Sequence, residues 1–200
     1  MKPLNKIILI LTIALKGFSQ NSYSEIIHDN MLWLGYYNTI NFNDKWSLNS
    51  DAQFRTKNGI KNNSQALIRT GLSYKINNKI DITSGLAHFR FFITNERTRG
   101  EWRPWQEIKL TSNFGSENLI NRVRVEQRYI EGVIDSQPSN KYNFNLRFRY
   151  RLDVKIPINK EKEEGKNFYL LVGNEIMVNA GENINSNYFD QDRLFVGLNY

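Results

Sequence analysis

The residues from Tyr142 to Ile158, YNFNLRFRYRLDVKIPI, alternate along their whole length. The even positions are apolar: Tyr142, Phe144, Leu146, Phe148, Tyr150, Leu152, Val154, Ile156 and Ile158. Most odd positions are polar or charged: Asn143, Asn145, Arg147, Arg149, Arg151, Asp153 and Lys155. Period two marks a strand with two unlike faces, because successive side chains point to opposite sides of a sheet. At about 3.3 Å per residue the segment is about 55 Å long. Globular strands usually have about 3–10 residues, whereas a tilted strand that crosses a bilayer and projects beyond it needs this length.

The same rhythm recurs along the chain. Trp46, Leu48, Ser50, Ala52 and Phe54 oppose Lys45, Ser47, Asn49, Asp51, Gln53 and Arg55. Ala66, Ile68, Thr70, Leu72, Tyr74 and Ile76 oppose Gln65, Arg69, Ser73 and Lys75. Val123, Val125 and Tyr129 oppose Arg122, Arg124, Glu126 and Arg128. Weaker alternation marks Leu32–Phe42, Ile80–Phe92, Trp102–Asn113, Phe168–Asn179 and Phe189–Tyr200, so nine strands are readable and no amphipathic helix is. Connections alternate in length. NDK, NNK and FGSEN are short; TKNGIKNN, TNERTRG, EGVIDSQPSNK (Glu131–Lys141) and AGENINSN are long, and NKEKEEGK is intermediate and highly charged. Short turns at one end and long loops at the other belong to an up-and-down barrel. No linker or composition break separates a second domain.

A soluble sandwich or a lipocalin-like carrier would turn the apolar face inward. A membrane barrel turns it toward lipid and encloses the charged face. Strand length, the aromatics Trp46, Tyr74 and Phe168 near short turns, and the terminal LFVGLNY favour the membrane orientation. Phe148 is then expected outside and Arg149 inside. The interior expected from this pattern is lined by Arg122, Arg124, Glu126, Arg128, Arg147, Arg149, Arg151 and Asp153, with Glu101, Arg103, Glu107 and Glu175. Arginines on adjacent strands repel when directly opposed, so Glu101, Glu107 and Glu175 are the acids expected to screen them. Such an interior serves either as a salt-bridged structural filling or as a basic pore that favours small anions.

The first residues, MKPLNKIILILTIALKGFSQ, place Lys2 and Lys6 before an apolar run from Ile7 to Leu15, with Gly17 and Ser19 as small residues ahead of a cleavage point. This is the layout of a secretory signal peptide, residues 1–19, leaving residues 20–200 as one barrel domain. The run falls short of the roughly 20 residues a membrane-spanning helix needs. Cleavage removes three lysines and no acid, lowering the formal charge from +7 to +4. A mean hydropathy of −0.56 fits a barrel, in which only alternate residues face lipid. The absence of cysteine excludes disulfides and thiolate metal sites.

Sites of chemistry are sparse. His28 and His88 are the two histidines, too few for a histidine-rich metal centre, and DQD (Asp190–Asp192) is too sparse for a calcium loop. No phosphate-cradling glycine loop occurs. Ser84 and His88 share a face, but four residues place them about 13 Å apart, against the roughly 2.6–3.2 Å of a nucleophile–base pair. A membrane-embedded acyl hydrolase or transferase is the enzymatic alternative. Nucleic acid is not an expected partner, since arginines and aromatics point to opposite sides and no base could stack beside a bound phosphate. No cofactor is expected. The expected partners are outer-membrane lipid, the barrel-assembly machinery during insertion, and small anionic solutes.

EWRPWQ (Glu101–Gln106), RVRVEQR (Arg122–Arg128), RFRYRL (Arg147–Leu152), NE (Asn174–Glu175) and FDQDRLFVGLNY (Phe189–Tyr200) occur in that order. The ordered set resembles an uncharacterised outer-membrane β-barrel family, domain of unknown function 2490, from about Leu32 to Tyr200. The resemblance implies an antiparallel up-and-down transmembrane barrel of a Gram-negative bacterium and supplies no activity or site residue. The family's pattern continues past GLNY with a further hairpin, and bacterial barrels have even strand numbers. About 10–12 strands are therefore expected. Tyr23–Asn30 is a candidate for an unread strand, and imperfect closure of a shortened chain is the alternative.

Overall fold

The computed structural model describes residues 29–93, 98–115, 117–134, 137–158, 168–182, 184 and 188–199. The signal-peptide segment lies outside the described residues, as does most of Tyr23–Asn30. The described chain contains nine strands and no helix: β1 (Trp33–Asn41), β2 (Trp46–Lys57), β3 (Asn62–Asn77), β4 (Ile80–Phe92), β5 (Thr98–Phe114), β6 (Glu117–Ile134), β7 (Gln137–Pro157), β8 (Tyr169–Ala180) and β9 (Phe189–Asn199). They form one sheet in sequence order, each strand antiparallel to the next. This is the expected all-β, up-and-down meander, curled like part of a barrel wall.

Turn chemistry explains the tight reversals. Asn43 Oδ1 accepts the Lys45 and Trp46 amides, each at 2.9 Å, and Asn77 Oδ1 accepts the Lys79 amide at 2.8 Å. Asparagine side chains here imitate the backbone of a turn. Between β2 and β3, Asn58 and Gly59 both take positive φ, 53° and 71°, the region these two residue types tolerate best. One connection differs from expectation. The segment Glu131–Lys141 is largely strand, since β6 runs to Ile134 and β7 begins at Gln137, with a register shift between Glu131 and Val133. Its Gly, Ser and Pro content suggests a loop, but pairing between two long neighbours carries the ladder through it.

The two faces separate as the alternation requires. Phe148 is 44 % exposed, while the side chain of Arg149 retains 11 %. Leu72, Ile82, Leu86, Ile108, Val123, Tyr150, Leu194 and Val196 are exposed in the same way as Phe148. The other face is concave: Arg193 on β9 lies 6.0 Å from the ring of Trp33 on β1, at the opposite edge of the sheet. Among the described residues, β1 and β9 are not paired with each other.

The concave face is not wholly polar. Leu67, Ala87, Phe89 and Trp105 form a buried cluster there, with Phe91 against it. Arginines cover its aromatics. The Arg103 guanidinium sits 3.7 Å from the Phe89 ring centre, and that of Arg124 4.3 Å from Trp105. A cation over a ring face loses less on burial than an isolated one, which lets apolar and charged side chains share this surface.

Candidate functional site

All twelve interior residues expected from the alternation lie on the concave side, and the register explains their partners. Arg122 stands opposite Arg151, and Arg124 opposite Arg149, so two pairs of like charges face each other across β6 and β7. Carboxylates from the same and flanking strands resolve this repulsion. Glu107 on β5 lies 2.6 Å from Arg124 Nη2 and 3.5 Å from Arg122 Nε. Glu175 on β8 receives Arg122 Nη2 at 2.6 Å and Arg149 Nη2 at 2.8 Å on one oxygen.

Glu126 is the hub. Arg149 Nη1 donates to it at 2.5 Å, and Arg103, Arg124 and Arg147 stand 3.5, 3.8 and 3.9 Å away. Glu101 is fully buried and receives Arg103 Nε at 2.5 Å and Arg128 through Nε at 2.6 Å and Nη2 at 3.1 Å. Arg151 closes on Asp153 of its own strand, 2.8 Å away. The three acids expected to screen the arginines are therefore all engaged. The role of Glu126 as common partner was not readable from one strand, because it depends on contributions from β5 and β7.

Two members were missed. Asp190 lies 3.0 Å from Arg147 Nη2 and accepts Asn179 Nδ2 at 2.8 Å, while Asn179 Oδ1 accepts Arg147 Nε at 3.2 Å. Asp190 belongs to DQD, and strict alternation would put it on the outer face with Asp192, which bonds Asn174 there; the register shift between Met177 and Val178 turns Asp190 inward, so alternation gave no signal for it. Arg69 pairs with Asp51 at 2.7 Å, and Lys109 with Asp81 at 2.7 Å.

Among the described residues this lattice leaves some cations without a carboxylate. Arg55 bonds only amide oxygens, Gln65 Oε1 at 2.7 Å and Gln53 Oε1 at 3.1 Å, and stacks 3.6 Å over Trp33. Arg99 lies against Phe91 at 5.4 Å. Both, with Arg193 and Arg103, line a cavity of about 500 Å³ on the concave side. A second cavity, about 920 Å³, opens toward the turn that joins β1 and β2 and is lined by Asn49, Asp51, Lys75, Asp81, Glu107 and Lys109 among others. Tyr37, Arg69 and Arg122 contribute to both, so the two spaces meet at their level. Chemically, the walls of both spaces present charged and hydrogen-bonding side chains, with arginine and lysine beside aspartate and glutamate.

The outer face carries its own ordered groups. The rings of Trp46 and Tyr74 pack at 4.7 Å beside the short turns. Polar side chains there pair with each other: Ser50 with Thr70 at 3.2 Å, and Gln127 with Gln106 at 2.8 Å. His88 also points outward, its ring 4.3 Å from Trp102; His28 lies outside the described residues.

The chain is 25 % identical over 153 residues to an uncharacterised protein of Methylorubrum extorquens, a match that covers 75 % of this chain and 63 % of that protein. The chain thus spans less than two thirds of that relative's length. No solved structure matches it. The family described as "Protein of unknown function (DUF2490)" matches residues 30–200, and the chain belongs to that family.

Proposed function

We propose that this chain forms the wall of an outer-membrane β-barrel in a Gram-negative bacterium, porin-like and non-enzymatic, with a basic lumen that favours small anions. The observation that carries the reading is the inversion of polarity between Phe148 and Arg149. A water-soluble sheet does not leave a strand-length row of Phe, Tyr and Leu exposed while enclosing its arginines. In lipid the same arrangement is the required one, since each ionised group must find partners away from hydrocarbon. The surplus of cations at Arg55 and Arg99 gives the enclosed space its sign.

Three measurements test it. After cell fractionation the protein should leave the envelope only with detergent; release in buffer would point instead to a periplasmic carrier. Single-cysteine variants exploit the cysteine-free sequence. A label at Phe148→Cys should be quenched by brominated lipid, and one at Asn49→Cys, on the wall of the wide concave cavity, should not. In planar bilayers the reversal potential should indicate anion preference. Cation preference, or no conductance at all, would remove the porin-like part of the proposal.

A further inference from the structure

We infer that the outer face of β1–β4 holds a phospholipid of net negative headgroup charge, its acyl chain in a groove and its headgroup on Arg90. The inference rests on the membrane reading above. Rows of the sheet define the groove. Leu34, Phe54, Ala66 and Arg90 stand side by side across β1–β4, and Tyr36, Ala52, Ile68 and His88 form the neighbouring row. The two alanines are the small members of these rows. With larger side chains around them they leave a depression of about 770 Å³.

The charge at one end decides what fills it. Arg90 is exposed on the apolar face and, among the described residues, its guanidinium has no hydrogen bond or ion pair. Paired carboxylates engage the guanidinium groups of the lattice on the other side of the sheet. The nearby outer-face carboxylate of Glu131 accepts the Gly100 amide at 2.8 Å and adjoins His88, and among the described residues it forms no ion pair with Arg90. His88 adds a second nitrogenous group beside Arg90, its ring fixed against Trp102. A cation on a lipid-facing surface is costly unless it reaches the headgroup level or an anion there. An anionic headgroup over Arg90 and a chain along Ala52 and Ala66 satisfy both features together.

A second groove supplies the comparison. It runs past Trp46, Leu72, Ile82, Ser84 and Val123 and has no cation on its outer side. It has the shape for an acyl chain and nothing to select a headgroup.

The test uses the full chain in micelles supplemented with phosphatidylglycerol or phosphatidylcholine of identical acyl chains, read by native mass spectrometry. One phosphatidylglycerol should be retained with about fivefold preference, the ratio expected of one basic residue near a membrane surface. Arg90→Gln should bring the two lipids to parity. Ala66→Leu, which fills the groove, should also abolish the preference, while Ser84→Leu in the second groove should leave it intact. Parity in the unmodified chain, a preference that survives Arg90→Gln, or displacement of the lipid by inorganic phosphate would overturn the inference. If both lipids bind equally, the membrane reading stands and the headgroup site falls. A chain that is folded in buffer without detergent and holds neither lipid removes the membrane reading itself.

Discussion

The indole of Trp105 occupies the space that a side chain at Gly71 would need: a Cβ built there would stand 2.5 Å from Cζ2 and 2.7 Å from Cη2. Gly71 pairs with Gly85, and Gly85 with Trp105, so the ring lies across two strands whose glycines leave room for it. Gly71→Val should therefore lower stability by about 1–3 kcal/mol, the usual cost of overpacking, seen as an earlier transition in heat-modifiability gels. Trp105→Ala should recover part of that loss in the double variant, because the clash is with the ring.

Glu126 makes a stronger demand. It is buried among Arg103, Arg124, Arg147 and Arg149, so Glu126→Gln leaves four guanidinium groups around a neutral amide. Removing one partner from a buried charge cluster costs about 3–5 kcal/mol. The urea midpoint in micelles should fall accordingly. Adding Arg149→Gln should restore part of it, since that side chain is the nearest of the four. Equal midpoints for Glu126→Gln and the unmodified chain would show that the lattice is screened by water.

These two sites differ in how far the sequence exposes them. Alternation identifies Glu126 as facing inward with Arg122, Arg124 and Arg128, and it locates all nine strands within a few residues. By parity with Glu101, Arg103 and Glu107 it also turns Trp105 inward, but it does not reveal why an apolar ring belongs on the charged face. Nor does it reveal Leu67 and Phe89, which lie among polar neighbours on the concave side. Partner choice depends on register, and register is a property of two strands together. The opposition of Arg124 to Arg149 was therefore legible only as a hazard, and its relief by Glu107, Glu126 and Glu175 required the assembled sheet.

Selectivity should respond most to arginines outside the lattice. Arg55 is held by Gln53, Gln65 and Trp33 and, among the described residues, balances no carboxylate. Arg55→Glu should leave the unfolding transition near its original position while moving the reversal potential toward cations. The same change at Arg149, which bonds Glu126 and Glu175, should abolish folding before selectivity can be read. A reversal potential unchanged in Arg55→Glu would place the ion path away from this cavity.

The outer face offers a test that depends on its solvent. Gln127 donates to Gln106 on this face at 2.8 Å. In water, replacing Gln106 by leucine would matter little, because the solvent replaces the lost partner. In hydrocarbon nothing replaces it, and an orphaned polar group costs about 1–3 kcal/mol. Gln106→Leu should thus destabilise the protein in bilayers by about that amount. The double variant Gln106→Leu/Gln127→Leu, which removes both polar groups, should be near neutral or more stable than the parent. The sign reversal between single and double variants is the signature of a lipid-facing pair. Additive losses would place these side chains in contact with water and count against the outward-facing membrane surface on which the functional proposal rests.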